Sequence, residues 1–441
     1  MFEDLAKIRH ALLHEIPKQR FLVVGDIILD RYLSGPSERL SQEAPVPVIR
    51  LASTSMSLGG AANVAHSLAR LGSSVRLFGL VGEDEAGRDV VAGCSSAGID
   101  GTGICSVSTR RTSVKTRVLV RDHQIARIDD EVTEPIEPEL EDQLLVEILM
   151  DLSGQSVSAV ILSDYAKGLC TPAFCQRLIK GCAGLKVPVY VDPKGVDYRK
   201  YKGATAIKPN RHEMKLVAQT EGWNSEDRLE TAKQLRELLD LKFLALTLGP
   251  GGMILIEPDS EEWFQTAARE VFDVSGAGDA VLAAVACGLH GNLSLRESIV
   301  LGNLAAAQVV SKVGCVPIDR ADLILAVQRQ TKSSAAAKRF DLDELVQISD
   351  AWKKANQRVA LTSGVYDTLQ ADHIRSLEEA SANSDRLIVA VHEGQTSQTT
   401  IEARIEVLAA LQCVDAIVVL DEPTAEMIVD LIKPDLLAMG S

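Results

Sequence analysis

Asp273-Val274-Ser275-Gly276-Ala277-Gly278-Asp279-Ala280 runs straight into an apolar stretch, Val281 to Leu289, of helical character. Two glycines within three residues let backbone N–H groups turn inward at a helix N-terminus. The partial positive charge there suits an anion, above all the oxyanions of a moving phosphoryl group. An aspartate in that place is useful if it takes a proton from a hydroxyl attacking a terminal phosphate, which is general-base work. The plainer alternative is a glycine turn closed by a capping Asp, and the flanking chain must decide between the two.

The rest of the chain supplies strands that end in polar clusters. Phe21 to Gly25 is a short apolar run that delivers Asp26, and soon after Asp30, to a ligand crevice; sugar hydroxyls and turn capping are the two uses such carboxylates have. Gly59-Gly60-Ala61-Ala62-Asn63 opens a second helix with a glycine pair at its start. Thr112–Arg121 and Gln124–Asp129 read as a hairpin with Lys115, Arg117 and Arg121 on one face, suited either to phosphate or to keeping a sheet edge soluble. Three apolar runs then end in Ser163–Gly168, Asp192–Gly195 and Lys208–Glu213, in the βαβ rhythm that gathers ligands at the carboxyl ends of parallel strands. Phe243–Leu248 runs into Gly249-Pro250-Gly251-Gly252, a turn able to wrap a nucleotide phosphate, and the helix around Asn303–Ala307 is the expected seat of the base.

Composition narrows the classes further. A chain of 441 residues exceeds one ordinary core and implies two or three domains. It is 46% hydrophobic, with a net charge of −15 and a pI near 5.1. That acidity disfavours nucleic acid as a partner, so a phosphate-bearing ligand must be held by a local group of Lys and Arg. The eight cysteines stand singly, without CxxC or Cys/His metal spacing, which fits a reduced cytoplasmic protein. No run reaches the roughly 18 apolar residues of a membrane span. The charged start, residues 1–20, reads as a surface helix and not as a signal peptide.

Taken together, Gly25-Asp26, Gly59-Gly60 with Asn63, Asn210 with Glu213, Thr247 with Gly249 and Gly252, and Asp273 through Asp279 resemble the ribokinase-like (PfkB) carbohydrate kinases in order and spacing. The likeness covers about residues 15 to 330. Longer strings, Gly25–Tyr32, Glu43–Val48, Ser163–Gly168 and Asp192–Gly195, are similar more narrowly to the kinase half of the bacterial bifunctional heptose-7-phosphate kinases and ADP-heptose synthases. The resemblance implies an α/β, three-layer ribokinase-like sandwich with a small β lid over residues 1–330, using ATP and Mg²⁺. It casts Asp279 as the base towards the anomeric hydroxyl and the amides of Gly276, Ala277 and Gly278 as an anion hole. Asp26, Asp30, Gly59, Gly60 and Asn63 would hold the sugar. Asn210, Arg211, His212 and Glu213 would lie along ATP, with Glu213 at the magnesium; Thr247, Gly249, Gly252 and Asn303 would also line the nucleotide. Charge and placement make Lys115, Arg117, Lys167 and Lys194 candidates for a substrate phosphate, and family habit implies a homodimer through the lid. The implied reaction phosphorylates C1 of a heptose 7-phosphate to the 1,7-bisphosphate, on the route to ADP-heptose and lipopolysaccharide; another sugar or sugar phosphate is the alternative.

After a small-residue linker, 331–341, residues 342–441 read as a second, smaller Rossmann-like α/β unit. Gly364 to His373 is similar to a nucleotidyltransferase signature in which two histidines flank a glycine. Here Gln370 stands for the first histidine and Asp372 for the glycine, leaving His373 alone. No Lys or Arg lies between Arg386 and Arg404, Met439 stands where lysine is usual, and the chain stops at Ser441. The expectation is a degenerate unit that keeps its fold without adenylyl transfer. A still active transferase and a non-catalytic binding or scaffold module are the other readings.

Overall fold

The computed structural model describes residues 5–121, 123–268, 271–312, 314–330, 338–392, 399–420 and 422–439. The chain divides into two units, His14–Asp319 and a second formed by Met1–Leu13 with Arg320–Ser441. Strands of the first unit are β1 (Arg20–Gly25), β2 (Ile27–Ser34), β3 (Ser37–Leu40), β4 (Pro47–Ile49), β5 (Ser53–Gly60), β6 (Ser74–Gly82), β7 (Asp100–Val107), β8 (Ser113–Val120), β9 (His123–Asp130), β10 (Ala159–Ser163), β11 (Val189–Asp192), β12 (Ala206–Ile207), β13 (Phe243–Thr247), β14 (Met253–Ile256) and β15 (Glu261–Phe264). The main sheet has the order β15-β14-β13-β12-β11-β10-β1-β6-β7. Its strands are parallel from β7 to β13, and β14 and β15 return antiparallel at one edge.

The unbroken apolar run of β1 is what a strand covered on both faces requires. Leu22 and Val24 pack into a core with Leu144, Ile148, Phe174 and Leu178 from the helices Pro138–Gly154 and Pro172–Gly184. Alternate residues face the other way, where Phe21 meets His290 edge-on at 5.9 Å, at the end of the helix Ala277–His290. These are the three layers.

A single residue, Asp26, separates β1 from β2, so the lid hangs directly from the central strand. The lid sheet has the order β5-β2-β8-β9, with β3 and β4 as a separate ribbon. Gly59 and Gly60 sit opposite Ile28 and Ile27 in that sheet. A Cβ on Gly59 would lie 2.3 Å from Asp30 Oδ2, and one on Gly60, whose φ is +57°, would lie 2.4 Å from Asp26 O. The pair is therefore needed for β5 to reach the two aspartates. Arg121, expected on the strand face, lies instead in the turn after β8 with φ 55°.

In the second unit β16 (Arg339–Phe340), β17 (Val359–Gly364), β18 (Arg386–His392), β19 (Ala416–Leu420) and β20 (Leu436–Met439) form a parallel sheet of order β16-β19-β18-β17-β20. Asp341 caps the helix Leu342–Lys354 by accepting the Glu344 N–H at 2.7 Å. The N-terminal helix Leu5–His10 departs from the reading as a surface helix. Ile8 is buried, and the buried Arg9 donates to Arg339 O at 2.8 Å with its guanidinium 4.1 Å from the Phe340 ring centre. An arginine whose stem and head both find partners makes the segment part of this unit. The division thus falls after Asp319, ahead of the expected boundary at 330. Residues 331–337 of the expected linker lie outside the described residues, as do Gln395–Gln398 of the loop without basic side chains and Ser441 at the end.

Candidate active site

Gly276, with φ 75°, is the N-cap of the helix Ala277–His290, and Asp279 is the third residue of its first turn. The N-cap is thus a glycine, and the hydrogen bonds of the Asp279 carboxylate go to side chains outside the helix. Its carboxylate is buried at 2% exposure between two donors. Asn63 Nδ2 donates to Oδ2 at 2.7 Å, and the Tyr165 hydroxyl donates to Oδ1 at 2.8 Å. Burial, followed by the neighbouring Asp192, pushes the Asp279 carboxyl up to about 7, against the pull of Asn63, Tyr165 and Lys208. A base held near neutrality can take a hydroxyl proton and give it up again.

On one side of Asp279 lies a cavity of about 380 Å³ lined by Lys208, Asn210, Thr247, Gly249, Gly252, Ala277, Gly278, Asn303 and Ala307, among others. That is within the range of small-ligand pockets. Gly252 is required in its wall: φ is +84°, and a Cβ would lie 1.9 Å from Phe264 O. Lys208 Nζ is 3.0 Å from Asp192 Oδ1 and 2.8 Å from where a Cβ on Gly278 would be, which puts a cation between the cavity and Asp279. Burial alone would lower the Lys208 ammonium, but Asp192 and Glu213 hold it above its ordinary value. It stays charged.

Arg211, His212 and Glu213 do not line this cavity. Asn210 Oδ1 accepts the N–H groups of His212 and Glu213, both at 2.9 Å, and Glu213 Oε2 accepts the Asn210 N–H at 2.9 Å. The Asn-x-x-Glu spacing is thus a capping box that aims Asn210 at the cavity. Arg211 is exposed and donates to Leu248 O at 3.0 Å, tying down the glycine turn, while His212 is exposed. The other oxygen of Glu213 meets Lys194 Nζ at 2.9 Å, so each oxygen has one protein partner.

At the lid the structure brings together Asp30 of β2, Lys115 and Arg117 of β8, and Lys167 of the loop after β10, each with an opposite charge. Arg117 pairs with Asp30, Lys167 lies 2.7 Å from Glu131, and Lys115 lies 4.0 Å from the same carboxylate. Lys194 is elsewhere, because it follows β11 and reaches across to Glu213. Asp26 is fully engaged with backbone: Tyr165, Lys167 and Leu169 donate their N–H groups to it at 2.8, 2.9 and 3.3 Å. It shapes the loop after β10. Asn63, in contrast, keeps a buried Oδ1 without a hydrogen-bond partner beside Asp279. Tyr165, Glu131, Asp192 and Lys208 are absent from the site as read in sequence. Tyr165, Asp192 and Lys208 stood in quoted strings at strand ends, and their closeness to Asp279 depends on strand order.

A neutral-range aspartate at a glycine-rich helix start, beside a cavity whose wall includes Lys208 and near a lid whose cations are paired with carboxylates, is the apparatus of a phosphotransferase acting on a hydroxyl. The chain matches the family model described as pfkB family carbohydrate kinase over residues 18–321, and it belongs to that family of sugar kinases. Its curated relatives include the Bifunctional protein HldE of Methylobacillus flagellatus, 39% identical over 429 residues that cover 95% of this chain and 88% of the relative. That of Koribacter versatilis is 38% identical over 449 residues, covering 100% and 92%. Among solved structures, phosphofructokinase-2 from Escherichia coli in complex with substrates and products matches with a TM-score of 0.60 at 18% identity, across 71% of this chain and 99% of that one. This last is a likeness of fold.

Proposed function

We propose that the chain transfers the terminal phosphate of ATP to the anomeric hydroxyl of a heptose 7-phosphate, supplying the 1,7-bisphosphate for ADP-heptose and lipopolysaccharide synthesis. The observation that carries this is the buried Asp279 beside Lys208, a residue of the cavity wall, and hydrogen-bonded to Tyr165, whose loop also carries Lys167, the partner of Glu131 together with Lys115. The nucleotide would lie along Asn210, Thr247, Gly249 and Gly252 with its base towards Asn303. Asn63 would accept from a sugar hydroxyl while Asp279 takes the proton of the attacking one. Magnesium would enter on the triphosphate, since phosphate oxygens and water are its usual ligands in such sites and Glu213 is already engaged. Lys115 and Lys167 would exchange their shared Glu131 for the 7-phosphate. Comparing kcat/KM for the heptose 7-phosphate and the unphosphorylated heptose tests the reading. A preference of about 100-fold for the phosphorylated acceptor is expected from losing one charge-assisted contact, and equal values would assign another sugar.

The second unit, on this reading, keeps the nucleotidyltransferase fold without adenylyl transfer. Besides the replacements at Gln370 and Asp372, the groups that could substitute are engaged locally. His373 Nδ1 accepts the Gln370 N–H at 3.2 Å, Arg375 lies 3.2 Å from Asp372, and the buried Arg404 donates to Val365 O and His392 O at 2.7 and 2.9 Å. A homodimer through the lid would cover the exposed Met56, Ile125 and Ile128. A cytoplasmic setting suits eight cysteines that all carry free thiols.

A further inference from the structure

Asp279 is held by two donors, and the one on the loop after β10 is built at unusual cost. That loop carries Ala166 at φ 55°, a strained conformation for a residue with a side chain, and two buried carboxylates converge to hold it. Asp26 takes the N–H groups of Tyr165, Lys167 and Leu169. Asp164 Oδ1 takes that of Ala166 at 2.7 Å, while its Oδ2 is met by Lys200 Nζ at 2.5 Å and the Tyr201 hydroxyl at 2.6 Å. Burial, and then Asp164, raises the Asp26 carboxyl, so the arrangement disfavours its charged form. What it produces is a half-buried Tyr165 whose hydroxyl ends 2.8 Å from Asp279 Oδ1.

We propose that Tyr165 is a positioning residue for the transfer reaction: its hydroxyl orients the Asp279 carboxylate and sets its basicity by a single donated hydrogen bond. The proposal rests on Asp279 being the base of the kinase reaction. The other groups facing Asp279 come from separate elements: Asn63 from the helix after β5, Asp192 at the end of β11, Lys208 after β12, and the Cys315 thiol. Of the two donors that touch it, Asn63 also offers an oxygen to substrate, whereas the Tyr165 hydroxyl is committed to the carboxylate. Removing that hydroxyl takes away stabilisation of the charged form only, so the proton is held more tightly.

The test compares wild type, Tyr165→Phe and a chain with 3,5-difluorotyrosine at position 165, whose phenol is the stronger donor. In Tyr165→Phe the acid limb of kcat/KM against pH is expected to move up by about one unit, a loss of about tenfold below the limb, with KM little changed. The difluoro variant moves the limb down, and it decides the matter if the Phe variant fails to fold. An unchanged limb with a raised KM would overturn the proposal and make Tyr165 a substrate contact. The carboxyl ¹³C resonance of Asp279, assigned by its loss in Asp279→Asn, must titrate in the same two directions. Because that readout needs no acceptor, a chain inactive on every sugar phosphate would sink the proposed function while leaving the Tyr165 proposal to be judged by the resonance alone.

Discussion

An aspartate raised to about 7 carries a thermodynamic signature as well as a kinetic one. Replacing it by Asn keeps the size and hydrogen-bonding reach, since the Asn63 donor can meet the amide oxygen and the Tyr165 hydroxyl can turn to accept from the amide nitrogen. Asp279→Asn is therefore expected to lose about 10²–10⁴ in kcat while still binding ATP, measured by coupled assay and calorimetry. The same substitution should stabilise the fold at neutral pH. A folded carboxyl that binds its proton above the ordinary 3.8 contributes most below that value, and the contribution is lost as pH rises through about 7. Melting curves of the variant and wild type should coincide near pH 4 and separate by about 2–4 °C above pH 7, with the variant higher. In the wild type, kcat/KM should fall tenfold per unit as pH drops below about 7; a profile flat down to pH 5 would remove Asp279 from the base role.

The elements around this residue act by close approach. The start of the helix Ala277–His290 sits close against the Lys208–Asp192 pair, and a Cβ at position 278 would lie 2.8 Å from Lys208 Nζ. Gly278→Ala meets the flexible tip of a lysine and no backbone, so the fold should survive with a change in Tm of no more than about 2 °C. The displaced ammonium no longer neutralises developing charge beside the cavity, and kcat should drop by about 10²-fold with the KM for sugar nearly unchanged. Gly252→Ala differs because its Cβ would meet Phe264 O in the wall between β13 and β14, where the backbone itself must move. That variant should weaken ATP binding and stability together.

The molecule as a whole is acidic, at −15, so the two anionic substrates proposed for it would be drawn only to local clusters, and the second unit offers little of that kind at its nucleotidyltransferase-like motif. Supplying ATP and heptose 1-phosphate to the full chain should yield no pyrophosphate or ADP-heptose above background. Adenylyl transfer depends on preorganised donors, each worth about 10²–10³ in rate. Turnover that disappears on His373→Ala would show that unit to be an active transferase.

Local rules reached far into this chain. Apolar runs, their polar ends and the glycine pairs are dictated by burial and backbone freedom, which short spacing reports directly, so the parallel sheet, the lid strands and Asp279 were all legible in residue order. Asn210-x-x-Glu213 was legible as a motif, but whether Glu213 faces a metal or closes a capping box depends on where Lys194 arrives from the neighbouring strand. The pairing of Lys115 and Lys167 with Glu131, the turning of Asp26 towards backbone, and the meeting of Asn63, Tyr165 and Lys208 at one carboxylate join residues up to 216 positions apart. Burial and charge balance in the assembled sheet choose those partners, and a one-dimensional pattern carries no record of strand order.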